Sequence, residues 1–107
     1  MLALGEIIER LAKTIETRKG AAAEASYTAS LLAAGPAKCA KKFGEEAVEL
    51  VIAASGESAE RVASEAGDVI YHLLVLLAAR GVDVSAVAAA LAAREGQSGH
   101  AEKAARK

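Results

Sequence analysis

SAERVASEAGDVIYHLLVLLAARG, residues 58–81, decides how the chain folds. Its second half, Leu73 to Ala79, is apolar all round, and a helix apolar on every side has to be enclosed by other elements. Its first half carries a narrow polar stripe, Arg61, Glu65, Asp68 and His72, at spacings of three and four. One helix thus passes from the edge of a core into its middle. Ser58 is a good N-cap and Gly81 a good stop after Arg80, so the spacing predicts a helix over 58–80.

The flanking sequence supplies the enclosing helices. Leu4, Ile7, Ile8, Leu11 and Ile15 recur at helical spacing, with Arg18, Lys19 and Gly20 as a cationic last turn and stop, which predicts a helix over about 4–19. Ser26 caps a short helix, SYTASLLAA, that Gly35 ends. Pro36 suits the first position of a third helix, which runs to about Ala54 before Ser55 and Gly56 break it. Asp83 caps a last helix, VSAVAAALAARE, ended by Gly96. There is no strand signal and no internal repeat, and the connections are short enough for antiparallel neighbours. The expected fold is all-α, a bundle of about five helices built by residues 1–96 as one domain. Residues 97–107 form a polar tail without an apolar face of its own.

The 107 residues match a single domain, and alanine makes up about half of the 53% that are hydrophobic, so each buried side chain contributes little area. A core this thin predicts a homodimer or a larger homo-oligomer. Thirteen basic against 14 acidic residues, with no long basic run, argue against nucleic acid as a partner. The longest apolar run, Tyr71 to Ala79, contains His72 and falls short of the roughly 20 residues of a membrane span. The stretch MLALGEIIERLAK is acidic where a signal peptide is basic, so the expected location is cytoplasmic. Cys39 is the only cysteine, which excludes an internal disulfide and the usual structural zinc site.

Two acidic groups stand out: Glu45, Glu46 and Glu49 in KKFGEEAVEL, and Glu65 with Asp68 in SEAGDVIYHLL. In helical projection Lys38, Lys42, Glu45, Glu46 and Glu49 share one side of the third helix, with Phe43, Ala47, Leu50 and Ala54 opposite. Carboxylates this close repel one another unless a cation sits among them. An all-oxygen donor set favours a hard ion, and Mg2+ is usually held by a few carboxylates, waters and substrate phosphates. Lys38, Lys41 and Lys42, one turn earlier, are placed to neutralise phosphate oxygens that the ion does not reach. The plain alternative is a solvated face of local ion pairs. A second acidic pair inside an apolar helix, however, is costly to bury without compensating charge. A di-iron bundle would need Glu-x-x-His on two helices, whereas His72 follows Asp68 by four residues and has no second copy.

EEAVE at 45–49 and EAGD at 65–68 together resemble the EExxE and ExxD motifs of the MazG-type all-alpha nucleoside triphosphate pyrophosphohydrolases. Within that superfamily the chain resembles the phosphoribosyl-ATP pyrophosphatase family, through SYTASLLAAG, KKFGEEAVELVIAA, YHLLVLLAARGV and SGHAEKAAR in that order. The resemblance implies an enzyme that hydrolyses phosphoribosyl-ATP to phosphoribosyl-AMP and pyrophosphate, the second step of histidine biosynthesis, with Mg2+ and a homo-oligomeric bundle. Residue by residue it implies Glu46, Glu49, Glu65 and Asp68 as metal ligands, with Glu45 supporting them or binding a second ion. It further implies phosphate contacts from Lys38, Lys41 and Lys42, and substrate contacts from Ser26, Tyr27 and Thr28. Glu45 or Glu49 is the expected catalytic proton acceptor for the attacking water.

Plainer roles stand beside these: a helix cap for Ser26, a core aromatic for Tyr27, and a satisfied core histidine for His72, which keeps it out of the catalytic set. Cys39 has no histidine near it in sequence and is no candidate nucleophile. Gly67, inside the second motif, costs about 1 kcal/mol of helix propensity against Ala and suggests the close approach of a neighbouring helix. Two other functions fit the same residues. A house-cleaning nucleoside triphosphate pyrophosphohydrolase would keep the carboxylates and change the base and ribose contacts, and a non-enzymatic helical dimerisation module would leave the carboxylates solvated.

Overall fold

The computed structural model describes residues 2–97, so the segment SGHAEKAAR and the rest of the expected tail beyond Gln97 lie outside the described residues. Within them the chain forms α1 (Leu4–Thr17), a 3-10 turn (Ala23–Ala25), α2 (Tyr27–Ala34), α3 (Pro36–Ala54), α4 (Ala59–Ala79) and α5 (Val84–Ala92). No strand occurs among the described residues, and the all-α bundle of five helices read from the periodicity is the fold found.

The caps are chemical. Ser26 Oγ accepts from the Ala29 amide at 3.0 Å, Ser58 Oγ from Arg61 at 3.2 Å, and Asp83 Oδ1 from Ser85 at 2.8 Å, each satisfying an amide that the helix leaves without a partner. Pro36 opens α3, and Gly81 takes φ 70° behind α4, a conformation that favours glycine. Two helices end earlier than expected. The amides of Arg18 and Lys19 bond to Ile15 and Glu16, and those of Arg94 and Glu95 to Leu91 and Ala92, so the last turns tighten to i→i+3 bonding and α1 stops at Thr17 and α5 at Ala92.

Ile15, Leu31, Cys39, Leu74 and Val75 form the buried core, drawn from four helices. α4 is its axis, packing against α1, α2 and, most extensively, α3. No residue from Leu73 to Ala79 is exposed, as its all-round apolarity required. By length and composition α4 could also cross a membrane, a property the Tyr71–Ala79 run alone did not reveal. Its buried Glu65 and His72 are hydrogen-bonded, and its Leu74 and Val75 lie in the core, as befits the central helix of a bundle. Cys39 is a core residue as well: its thiol donates to the Leu31 carbonyl at 3.1 Å, and burial pushes its pKa up, away from the reactive thiolate.

Two expectations need correction. The packed face of α3 is centred on Cys39, Glu46 and Ala53, residues seven apart, with Lys42, Phe43, Ala47 and Leu50 half-buried beside them, while Ala54 is exposed. Glu46 therefore faces the bundle instead of lying opposite the packed side. The projection already sets Glu46 at the apolar edge of its group, about 40° from Leu50 at 100° per residue, and α4 supplies what it meets there. Gly67 does not serve a close approach either, since a Cβ built on it meets nothing within 4 Å. Gly67→Ala should accordingly stabilise the helix by about 0.5 to 1 kcal/mol, and so raise the melting temperature by roughly 3 to 6 °C. A melt that falls instead would show that the position is covered in the working assembly.

Candidate active site

The α3–α4 hairpin brings the two acidic motifs together. One carboxylate oxygen from each of Glu46, Glu65 and Asp68 lies within 4.8 Å of the others. The environments differ: Glu65 is buried, at 7% exposure, Glu46 is half-buried, and Asp68 is exposed. Oxygens bound to one Mg2+ at about 2.1 Å stand about 3 to 4 Å apart, so small rotamer changes would let this trio share an ion. Three carboxylate oxygens are a hard donor set, and the residues present fit Mg2+.

Glu49 and Glu45 are exposed on α3 and stand outside the close trio. Glu45 pairs with Lys42 at 3.6 Å, and Lys42 also reaches Glu46 at 3.9 Å. Lys38 and Lys41 are exposed on the same helix. On α4, Arg61 donates through Nη2 to Glu65 Oε1 at 2.7 Å and through Nε to Glu57 Oε1 at 3.1 Å. Each of the two inner carboxylates thus has a cation of the chain beside it, Lys42 for Glu46 and Arg61 for Glu65, but each cation is shared with an outer carboxylate, Glu45 or Glu57, so the cluster keeps a net negative charge.

The segment Ser26, Tyr27 and Thr28 abuts this cluster through α4. The Tyr27 hydroxyl lies 3.0 Å from His72 Nε2, and His72 Nδ1 lies 2.7 Å from the backbone carbonyl of Asp68. A carbonyl only accepts, so Nδ1 carries a proton; with Nε2 unprotonated, the Tyr27 hydroxyl donates to it. Burial raises the Tyr27 pKa against the lowering effect of Lys42, so the phenol keeps the proton it donates. Thr28 Oγ1 is hydrogen-bonded to the Tyr71 hydroxyl, and the Tyr27 and Tyr71 rings stack with centroids 6.3 Å apart. Ser26 is engaged as the cap of α2. The side-chain polar groups of the segment are therefore tied to the fold, while Tyr27 as a residue remains 51% exposed.

His72 is the satisfied buried histidine that its apolar surroundings suggested, bonded at both ring nitrogens. It also joins Tyr27 of α2 to the turn of α4 that carries Asp68, a link between elements distant in sequence. Of the two tyrosines Tyr71 is adjacent in sequence and Tyr27 is 45 residues away, so no local signal marks the contact. Glu57, Arg61 and Glu65, at successive spacings of four, share one guanidinium.

Comparison with known proteins finds relatives along nearly the whole chain. The family profile for phosphoribosyl-ATP pyrophosphohydrolase matches residues 8–95, which include both acidic motifs and the SYT segment. A phosphoribosyl-ATP pyrophosphatase of Cereibacter sphaeroides is 62% identical over 100 residues, covering 94% of this chain and 97% of the relative. One from a Caulobacter species is 60% identical over 106 residues, covering 99% and 98%. A third, from Ruegeria pomeroyi, is 58% identical over 100 residues, covering 94% and 95%.

Proposed function

Because the chain belongs to the phosphoribosyl-ATP pyrophosphohydrolase family, we propose that it hydrolyses phosphoribosyl-ATP to phosphoribosyl-AMP and pyrophosphate, the second step of histidine biosynthesis, at the Glu46, Glu65 and Asp68 cluster. It is an enzyme of the hydrolase class, which sets aside the dimerisation module. The observation that carries the site is the convergence of three carboxylates from two motifs on neighbouring helices. Mg2+ is the ion these oxygens suit, and when bound it supplies Lewis acidity to the phosphoryl oxygens.

The residues divide the remaining work. Lys41 and Lys42 lie on α3 about one turn before Glu46 and Lys38 about two, and the three offer ammonium groups to the phosphate chain. Tyr27, an exposed residue held by its bond to His72, offers its ring to the substrate's base or ribose, while Ser26 and Thr28 fix the segment that carries it. Water attacks the phosphoanhydride bond, the bond to the departing pyrophosphate breaks, and a carboxylate takes the water's proton. Glu49, outside the trio and without an ion pair among the described residues, suits that role better than Glu45, which Lys42 engages. Of the ligands implied by the resemblance, Glu49 is thus more useful as base than as a fourth oxygen.

The working unit is a homo-oligomer of at least two chains in the cytoplasm. Val48, Val51 and Ile52 form an exposed apolar strip on the outer side of α3, and the largely apolar α5 has no buried residue, so a second copy has surface to cover.

Pyrophosphate release from phosphoribosyl-ATP, with and without Mg2+ and beside a panel of ordinary and noncanonical nucleoside triphosphates, tests the reading. Release that needs Mg2+ and favours phosphoribosyl-ATP is expected. Preferential turnover of a panel member would move the function to nucleotide house-cleaning, and release undiminished by chelation would remove the metal.

A further inference from the structure

Glu65 is the most enclosed carboxylate of the cluster, yet its charge is met by a residue that is itself largely in solvent. Arg61 is 54% exposed along its side chain against 9% for Glu65, and the two are joined by the shortest ion pair in the described structure, 2.7 Å. The other edge of the guanidinium is tied to Glu57, just ahead of the Ser58 cap, so the fork is held on two sides, by α4 and by the connection that precedes it. Glu65 also has the Glu46 and Asp68 oxygens within 4.8 Å, and Arg61 offsets their repulsion at Glu65 as Lys42 does more distantly at Glu46. A divalent ion that takes up the trio has to do so in the presence of this fixed positive charge.

We propose that Arg61 is the resident counter-ion of the metal-binding carboxylates, and that its charge keeps the affinity of the free enzyme for Mg2+ low until the substrate's phosphates contribute their own ligands and charge. The inference rests on the cation site proposed above. Two effects of Arg61 oppose each other. It orients Glu65, which favours metal binding, and its charge repels the ion, which disfavours it. Orientation is the smaller effect, because burial already restricts the Glu65 side chain. The repulsion is larger: a 2.7 Å hydrogen bond and a metal–oxygen bond of about 2.1 Å leave the two cations roughly 5 Å apart. Even with water-like dielectric and physiological salt, that weakens Mg2+ binding by about three- to tenfold. The chain thus favours metal that arrives with a polyphosphate over metal alone.

Calorimetric titration of the full-length chain with Mg2+, without substrate, tests the inference independently of activity. Arg61→Gln, with Arg61→Met as a second neutral replacement, should lower the Kd for Mg2+ by about three- to tenfold, while Arg61→Lys, which restores the charge, should stay within about twofold of the unaltered chain. The bonds lost are local to the start of α4 and the connection before it, and the side chain is exposed, so circular dichroism should show folded variants. Unchanged or weaker binding in the neutral variants would overturn the inference and leave Arg61 as a support for Glu65, and tighter binding in Arg61→Lys as well would remove charge as the cause. Absence of Mg2+ binding by the unaltered chain would instead overturn the cation site itself, and this inference with it.

Discussion

Asp68→Asn is expected to slow pyrophosphate release by more than about a hundredfold while leaving the melting temperature within about 4 °C of the unaltered chain. The separation of the two effects follows from where the residue sits. Asp68 is exposed, and its carboxylate has no ion pair among the described residues, so the amide removes no folded-state contact. The group of Asp68 that does hold the fold together is the backbone carbonyl accepting from His72 Nδ1, which the substitution leaves in place. The loss in rate is large because even a residue that only supports a metal ligand contributes about 10- to 100-fold, and Asp68 supplies one of three close anionic oxygens. Glu65→Gln is a poorer test, since Glu65 is buried and its loss would also leave Arg61 without its partner. Activity of Asp68→Asn within about threefold of the unaltered chain, in a steady-state assay at saturating Mg2+, would take Asp68 out of the ion-binding set.

That asymmetry between Asp68 and Glu65 marks the border of what sequence could tell. The helices, their caps at Ser26, Ser58 and Asp83, and the enclosure of Leu73 to Ala79 were legible because each depends on residues within a few positions of one another. The pairing of the two acidic motifs was legible through family resemblance. What was not legible is the depth of each carboxylate. Spacing puts Glu45, Glu46 and Glu49 in one group with Glu46 at its apolar edge, but it takes the approach of α4 to set Glu46 against Glu65 and leave the other two in solvent.

The same limit explains His72 and Gly67. A lone histidine on a buried helix is ordinarily a core residue, and this one is, but its partners lie on opposite sides of a contact between α2 and α4 that no local pattern encodes. Gly67 invited the reverse error: a glycine in a helix suggests a neighbour pressing against it, and none is there within the chain.

Ile15→Ala tests the other half of the account, the thinness of the core, and should cost about 3 kcal/mol, within the usual range for truncating a buried Ile to Ala. Ile15 is 1% exposed and is the one fully buried residue of α1, joining it to Leu31, Cys39, Leu74 and Val75, while Ile8 and Leu11 are only partly buried against the same cluster. With so many alanines elsewhere, the core has few large side chains to fill the gap, and a domain of this size has only about 5 to 15 kcal/mol in all. The melting temperature should fall by roughly 10 to 20 °C. Leu4→Ala, at a residue 62% exposed on the same helix, should shift it by no more than about 4 °C. The site lies on α2, α3 and α4, so Ile15→Ala assayed well below its melting point should keep the kcat of the unaltered chain, in direct contrast to Asp68→Asn. An unchanged melt would mean that α1 is fastened by surfaces outside the single chain, and a lost kcat in the folded variant would mean that α1 helps to set the α3–α4 spacing on which the carboxylate trio depends.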